Sequence, residues 1–195
     1  MSIKEYVEKR DFRKSEEPSG KNSGQKTHKP RFVIQKHKAS SLHYDFRLEI
    51  DGVMKSWAVP KGLSTDPREK RLGVRTEDHP IEYKDFEGTI TEGEYGAGTV
   101  MIWDEGIFRN LREEKKNDKT SLKASFDQGK IEVWLEGEKL KGGYVLIKTG
   151  KSNDKKWLIK KVDDDEADAR RNPVSTEPKS VHSGKSLKQI KEDSK

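Results

Sequence analysis

The stretch SSLHYDFRLEIDGVMKSWAVPKG, residues 40–62, reads as a β-hairpin with an unusual polar face. Asp51-Gly52 is a turn dipeptide between two apolar-rich runs, the strongest short-range hairpin signal. A two-residue turn there sets the register: Ile50 faces Val53, Leu48 faces Lys55, Phe46 faces Trp57 and Tyr44 faces Val59. That face is mostly apolar, with an aromatic pair at its centre. The opposite face carries His43, Asp45, Arg47 and Glu49, where an ordinary solvent face would carry Lys, Glu, Thr and Ser. Arg47 falls opposite Ser56 and Asp45 opposite Ala58, small partners that leave the room a pocket needs.

Similar signals recur along the chain. RFVIQKH (31–37), TVMIWDEG (99–106), GKIEVWLEG (129–137), GGYVLIKTG (142–150) and KKWLIKKV (155–162) are short apolar-rich runs bounded by Gly, Asp, Asn or Lys. No long helical periodicity intervenes, so the spacing predicts an all-β chain, an antiparallel barrel or sandwich. Of 195 residues only 29% are hydrophobic and 39% are charged, so the whole length is not expected to pack. Among the four Trp, five Tyr and six Phe, only Tyr6 and Phe12 fall outside Arg31–Val162. The expected division is an N-terminal arm (1–30), a β domain (31–163) and a polar C-terminal tail (164–195). Within the arm, residues 1–12 suit a short charged helix and 14–30, rich in Gly, Ser and Pro, an irregular segment. The tail has almost nothing to bury and is expected to be helical only in short pieces.

The net charge of +6 permits a nucleic-acid partner without demanding one. With no cysteine there is no disulfide and no thiolate metal site, so any metal must sit on His and carboxylate groups. The N-terminus MSIKEYVEKRDF has no apolar signal core, and no run is long enough to span a membrane; a cytoplasmic protein without a membrane partner is expected.

His43 and Asp45 lie two apart on one strand face, with Cα atoms ~6.6 Å apart. Both side chains can converge on one ion, and His37 returns nearby across the loop KASSL. Two imidazoles and one carboxylate make a three-ligand site with open positions, the catalytic kind of metal site. The plainer reading is a set of polar residues on an edge strand. Arg47, Lys61, Arg71, Arg75, His79 and Tyr83 follow within a short stretch. Cations beside a divalent metal suit phosphate chemistry, because they offset the charge of the non-bridging oxygens. Taken singly, each basic residue could equally be solvated surface, His79-Pro80 a strand-end turn, and Tyr83 core. TEGEYGAGTV (91–100) lacks the G-K-[ST] ending of a phosphate loop and leads into a strand, so it reads as a tightly packed turn. EIDGV superficially resembles the adenylation motif of nucleotidyl ligases, but Glu49 stands where the nucleophilic lysine is needed.

RFVIQKHKASSLHYDFRLEIDGVMKSWAVPKG, EDHPIEYKDFEGTITEGEYGAGTVMIWDEG and WLIKKVDD together resemble the 3′-phosphoesterase domain of bacterial DNA ligase D, and KRDFRKSEEPSG resembles that family's N-terminal arm. The resemblance covers roughly residues 6–165. It implies a compact antiparallel β-barrel with a polar, metal-containing cavity and a few short helices. It also implies a Mn²⁺-dependent enzyme (Co²⁺ or Zn²⁺ being other candidates) that heals DNA 3′ ends. One step removes a 3′-terminal ribonucleoside as a phosphodiesterase; a second removes the 3′-phosphate as a phosphomonoesterase and leaves a 3′-hydroxyl. The expected substrates are primer-template 3′ ends carrying a ribonucleotide or a 3′-phosphate. A freestanding module of this kind would work beside a separate DNA ligase and polymerase.

By the same resemblance His37, His43 and Asp45 correspond to metal ligands, and Arg47, His79 and Tyr83 to groups around the scissile phosphate. His79 is expected to be cationic near neutral pH, where a neighbouring charge easily tunes a histidine. Gln35, Lys61, Arg71 and Glu77 match further catalytic positions, and Arg10, Asp11 and Glu17 match substrate-binding positions in the arm. The insert REEKKNDKTSLK (112–123) and the tail carry no assignment. Two other readings remain at this stage. One is a mononuclear Fe(II) oxygenase with His43, Asp45 and His79 as a facial triad; the other is a non-catalytic nucleic-acid-binding barrel.

Overall fold

The structure, a computed structural model, describes residues 2–14, 16–20, 29–150 and 155–194. Residues 15 and 21–28 of the expected irregular arm lie outside the described residues. Nine strands form one antiparallel sheet: β1 (Arg31–Lys38), β2 (Leu42–Ile50), β3 (Val53–Val59), β4 (Lys70–Arg75), β5 (Gly88–Ile90), β6 (Gly98–Asn110), β7 (Lys130–Gly137), β8 (Lys141–Lys148) and β9 (Lys156–Lys161). Their order is β1-β2-β3-β4-β9-β8-β7-β6-β5, and β1 also pairs with β6. That last pairing closes eight strands into a barrel and leaves β5 as a short flap on β6. Closure removes the edges that an open sheet would expose.

The β2–β3 hairpin has the register its turn demands: Tyr44 faces Val59, Asp45 faces Ala58, Phe46 faces Trp57 and Arg47 faces Ser56. Asp51 and Gly52 both have positive φ, 54° and 77°, as a type I′ turn requires. Inward residues fill the barrel: Ile34, Phe46, Trp57, Trp103, Val133, Leu146 and Ile159 all belong to one buried cluster. Each large apolar side chain so buried contributes ~1.5–3 kcal/mol of transfer free energy. The barrel interior is therefore solid, and the polar face of β2 points outward.

Two strands escape a reading by apolar pattern. In β4 the only large aliphatic residue, Leu72, is exposed, while Gly73 takes an inward place because a Cβ there would meet Ile159 Cδ1 at 2.8 Å. β5 is three residues long. Helices are few and short, α1 (Ile3–Glu8), α2 (Leu111–Glu114), α3 (Leu122–Asp127), α4 (Pro173–Thr176) and α5 (Leu187–Asp193), with a 3₁₀ turn at Ile81–Asp85. α1 falls inside the expected charged helix, and α2 and α3 overlap only the two ends of the polar insert.

The residues after 163 differ from the expectation that they bury almost nothing. Glu177 O accepts from Trp103 Nε1 at 2.8 Å and from Lys139 Nζ at 3.0 Å, and Val181 N donates to Ile102 O. Ser186 caps α5 in a capping box with Gln189, and Ile190, 5% exposed, joins the barrel's apolar cluster. A polar segment can dock this way because its backbone supplies the bonds and a few aliphatic residues, Ile190 with Val174 and Leu187, the anchor. Ile190→Ala should therefore cost ~2 kcal/mol, the low end for a buried Ile, and lower the thermal midpoint by roughly 4–8 °C. An unchanged midpoint in a calorimetric scan would show that α5 contributes nothing to the fold.

Candidate active site

Because side chains alternate along a strand, the outward positions of β1, β2 and β3 form one surface: Gln35 and His37, then His43, Asp45 and Arg47, then Ser56 and Ala58. His37 lies directly opposite His43, and Gln35 opposite Asp45. Four pieces cover this surface. They are the arm with Tyr6, Arg10 and Glu17; the segment Thr76–His79; the 3₁₀ turn carrying Tyr83; and the glycine-rich loop before β6. Between them is a pocket of about 270 Å³ lined by Arg10, His37, His43, Asp45, Arg47, Glu77, His79, Tyr83 and Tyr95, among others.

One ligand atom each from His37, His43 and Asp45 lies within 4.8 Å of the other two. His43 Nδ1 is 3.1 Å from Ser41 O; a carbonyl only accepts, so the proton is on Nδ1 and the bare Nε2 faces Asp45 Oδ1 at 3.6 Å. Asp45 Oδ2 is 3.6 Å from His37 Nδ1. His37 Nε2 is buried with no hydrogen-bond partner among the described residues. Burial pushes the Asp45 carboxyl up, but Arg47 and the two imidazoles outweigh it and hold the group at about 2. An ionised carboxylate, a bare imidazole nitrogen and an orphaned one, held this close, suit a divalent cation.

Arg47 is the hub between this triad and the rest of the pocket. Nε donates to Gln35 Oε1 at 2.6 Å, Nη1 to Ser56 Oγ at 2.7 Å and Nη2 to Asp45 Oδ2 at 3.0 Å. Nη1 also lies 2.9 Å from His79 Nδ1, and the guanidinium sits 4.7 Å from the Tyr83 ring centroid. A buried arginine so bracketed has one orientation, which is what recognition of an anion requires. Gln35 is itself locked, since Nε2 donates to Tyr83 O and Phe86 O. It thereby ties the 3₁₀ turn to β1 and aims Arg47.

His79 is fixed by two backbone bonds to Met54, which extend the sheet beyond β3. Burial, then Arg47 and Arg10, push its imidazole well below its ordinary value. The expectation of a cationic His79 near neutral pH is thus corrected: in the free protein it is neutral. The unfolded chain takes up a proton near pH 6.5 that the folded chain refuses, so this residue subtracts stability as pH falls below about 6.5. Comparison of urea midpoints at pH 5 and pH 7.5 should show a smaller loss in His79→Gln than in the wild type. An equal loss in both would mean that His79 titrates normally in the fold.

The arm is built into the site. Glu17, buried, accepts from Arg10 Nε and from the Tyr83 hydroxyl, each at 2.9 Å. Arg10 also reaches Glu77 Oε1 at 3.3 Å and stacks 3.8 Å from the Tyr6 ring centroid. Burial, then Glu17, drives the Tyr83 hydroxyl well above its ordinary value, so it stays protonated. The structure thus brings together His37, His43, Asp45, Arg47, His79, Tyr83, Glu77 and Arg10 in the pocket, with Gln35 and Glu17 directly behind them. It does not bring in three others. Asp11 pairs with Arg13 at 2.9 Å at the surface, Arg71 pairs with Glu69 at 2.5 Å, and Lys61 is exposed in the turn after β3. Arg75 also lies elsewhere, bonded to Asp78 and stacked 5.5 Å from the Trp57 ring centroid.

Two residues of the site escape sequence reasoning, Tyr6 buried behind the pocket against His79 and Tyr83, and Tyr95 on the pocket wall. Tyr6 hides in a charged segment, and its aromatic character in an otherwise polar arm is the one available signal. Tyr95 sits in the glycine-rich loop read as a tight turn. That reading holds for Gly98, where a Cβ would lie 2.3 Å from Lys38 O. The same loop also places Tyr95, 47% exposed, on the pocket wall with its hydroxyl 3.4 Å from Glu77 Oε2.

His79 bonds to Arg47 and stands outside the three-residue cluster, so the facial triad proposed for an oxygenase is not assembled. Comparison with known proteins points elsewhere. The family model for the DNA ligase D 3′-phosphoesterase domain matches residues 35–148. The multifunctional non-homologous end joining protein LigD of Pseudomonas aeruginosa is 44% identical over 189 residues, which is 95% of this chain and 22% of that protein. Its namesake in Mycolicibacterium smegmatis is 45% identical over 163 residues, 82% of this chain and 20% of that protein. The multifunctional non-homologous end joining DNA repair protein LigD of Mycobacterium tuberculosis is 47% identical over 131 residues, 67% of this chain and 16% of that protein. The chain thus spans 22% or less of the length of these relatives. The matched span begins at Gln35 and contains His37, His43 and Asp45 together with Arg47, His79 and Tyr83. On fold, site and sequence together, the chain belongs to the DNA ligase D 3′-phosphoesterase domain family.

Proposed function

We propose that the protein is a metal-dependent phosphoesterase that heals DNA 3′ ends during non-homologous end joining. Its phosphodiesterase step removes a 3′-terminal ribonucleoside, and its phosphomonoesterase step then removes the 3′-phosphate. The observation that carries this reading is the contact of Arg47 with both Asp45 and His79, which sets an oriented cation between a metal-ligand triad and a neutral imidazole in one pocket. That is an arrangement for holding a phosphoryl group by its oxygens.

His37, His43 and Asp45 would hold the metal, for which Mn²⁺ is the proposed ion. When bound, it supplies Lewis-acid charge beside the phosphoryl group. Arg47 has one Nη2 hydrogen uncommitted among the described residues, available to a non-bridging oxygen. In the first step a water oxygen bonds to phosphorus, the P–O5′ bond breaks, and the nucleoside leaves as an alcohol that has gained a proton. His79 is placed to steady that exchange: its Nδ1 lies 2.9 Å from Arg47 Nη1 and 2.9 Å from Glu77 O, contacts that hold the ring in one orientation. An incoming phosphate also adds negative charge, which opposes the arginines that depress the imidazole. Tyr83 and Gln35 hold His79 and Arg47 in place, while Arg10, Glu17 and Glu77 lock the arm over the site.

The proposed substrates are primer-template ends with a recessed 3′ ribonucleotide or 3′-phosphate, healed alongside ligase and polymerase activities. A cytoplasmic location is part of the proposal; among the described residues no helix is long and apolar enough to cross a membrane. The test is a 5′-labelled primer-template ending in one ribonucleotide, incubated with and without Mn²⁺, with products resolved by end group. The expected sequence is a shortened strand bearing 3′-phosphate, then the same strand bearing 3′-hydroxyl. Metal-independent binding with no turnover of either end would instead favour a binding barrel.

A further inference from the structure

Beyond the pocket, the outer face of the barrel continues across β4, β9 and β8. The register places Asp45 beside Ala58, Ala58 beside Val74, and Val74 beside Lys156. Because side chains alternate, everything in that row and in every second residue from it shares the face of the metal-ligand triad. Two residues farther along, Leu72 faces Leu158, which faces Ile147. Two more residues on, Lys70 faces Lys160, which faces Val145. Leu72 and Ile147 are 42% and 45% exposed, and Lys70, Lys156 and Lys160 are all exposed.

Lys70 opposite Lys160 is a destabilising cross-strand pair, since like charges directly opposite one another repel. Neither lysine makes an ion pair among the described residues. Glu132, on β7 and one strand beyond Val145 in the same row, is already held by Lys115 and by Lys130. The fold therefore keeps a repulsive pair on a face that also exposes aliphatic side chains and that continues the pocket's own row of residues. The arm and the glycine-rich loop cover the flanks toward β1, β5 and β6. Toward β3 and β4 the same row continues through Ala58 and Val74, which are only half-buried.

We infer that this face, through Lys70, Lys156 and Lys160, seats the backbone of the duplex that leads to the 3′ end; the inference rests on the function proposed above. The dimensions agree. At ~4.8 Å between strands, Lys156 lies ~14 Å from Asp45, and Lys70 and Lys160 lie a further ~13 Å along the strands. At ~3.4 Å per nucleotide along one strand, the lysines meet phosphates roughly four to six nucleotides from the end. The row of Leu72, Leu158 and Ile147 lies between the lysines, where sugar edges would pass. An acidic protein would satisfy the lysines equally but gives no reason for the row to begin at a phosphate-processing pocket.

The test is the double variant Lys70→Gln/Lys160→Gln, with Lys188→Gln on α5 as a control. Binding of a fluorescein-labelled primer-template is read by anisotropy across a salt series, and turnover is followed on the same duplex and on bis(p-nitrophenyl) phosphate. The double variant should bind the duplex ~10-fold more weakly at low salt, with a log–log salt slope shallower by ~2, about 0.9 for each lost phosphate contact. KM for the duplex should rise with kcat unchanged, and turnover of the small diester should match the wild type. The control should leave every value unchanged. A double variant with wild-type affinity and slope overturns the inference and leaves the face to an acidic protein partner. Should the wild type turn over no 3′ end while the variant still loses affinity and slope, the surface stands and the catalytic reading falls.

Discussion

Asp45→Ala is expected to abolish both esterase steps, with turnover at saturating Mn²⁺ reduced by at least ~10³-fold, the several kcal/mol that a catalytic metal supplies. Asp45 is the carboxylate of the three-residue cluster, and its ionisation is secured by Arg47 and two imidazoles. Its removal leaves two imidazoles to hold a dication without charge compensation, and it costs Arg47 the acceptor at 3.0 Å that sets its tilt. Asp45→Asn separates these effects: the amide oxygen can still accept from Arg47, but the charge is gone. Both variants should lose Mn²⁺ binding in a calorimetric titration, while only Asp45→Ala should also loosen Arg47. Since breaking a buried ion pair can cost ~3–5 kcal/mol, a thermal scan accompanies the assay to show that the fold persists. Mn²⁺-dependent turnover near the wild-type level in either folded variant would remove Asp45 from the metal site.

His79→Ala should behave in the opposite way. Metal occupancy, measured by elemental analysis after equilibration with Mn²⁺, stays close to that of the wild type, because His79 is bonded to Arg47 and not to the triad. Turnover on a 3′-ribonucleotide end falls by at least ~10²-fold, the low end for a lost proton-transfer group. Because the imidazole is neutral in the free protein, its loss does not remove a fixed charge; it removes an oriented ring and frees Arg47 to rotate. Loss of the metal along with the activity would place His79 among the ligands and restore the oxygenase reading. Unchanged turnover would reduce it to the residue that joins Thr76–His79 to Met54.

The pocket could be read in part from the sequence, because strand periodicity is a local rule. An Asp-Gly turn forces one register, and from that register the apolar residues of β2 turn inward and His43, Asp45 and Arg47 turn outward together. His37 was within reach because only a short loop separates it from His43. The residues that complete the pocket arrive by longer routes. Tyr83 comes on a 3₁₀ turn, and Arg10, Glu17 and Tyr6 on an arm whose composition resembles that of an unstructured leader. Their signal is mutual: Glu17 is tolerable in the interior only because Arg10 and Tyr83 both donate to it, and no local pattern encodes such a pairing.

The same distinction separates what the chain's order determined from what folding decided. By itself the sequence determined an antiparallel β domain, the register of its central hairpin and the side of the sheet on which the chemistry lies. All three follow from the local backbone geometry of short strands and turns, read one after another along the chain. Only the tertiary structure decided that the barrel closes through β1 and β6, that its interior is solid and the pocket lies outside it, and that Arg71 and Arg75 stay out of that pocket. It also decided that His79 is neutral. A histidine's charge depends on how much water and how many cations surround it, and Arg47 and Arg10 reach it from distant parts of the chain.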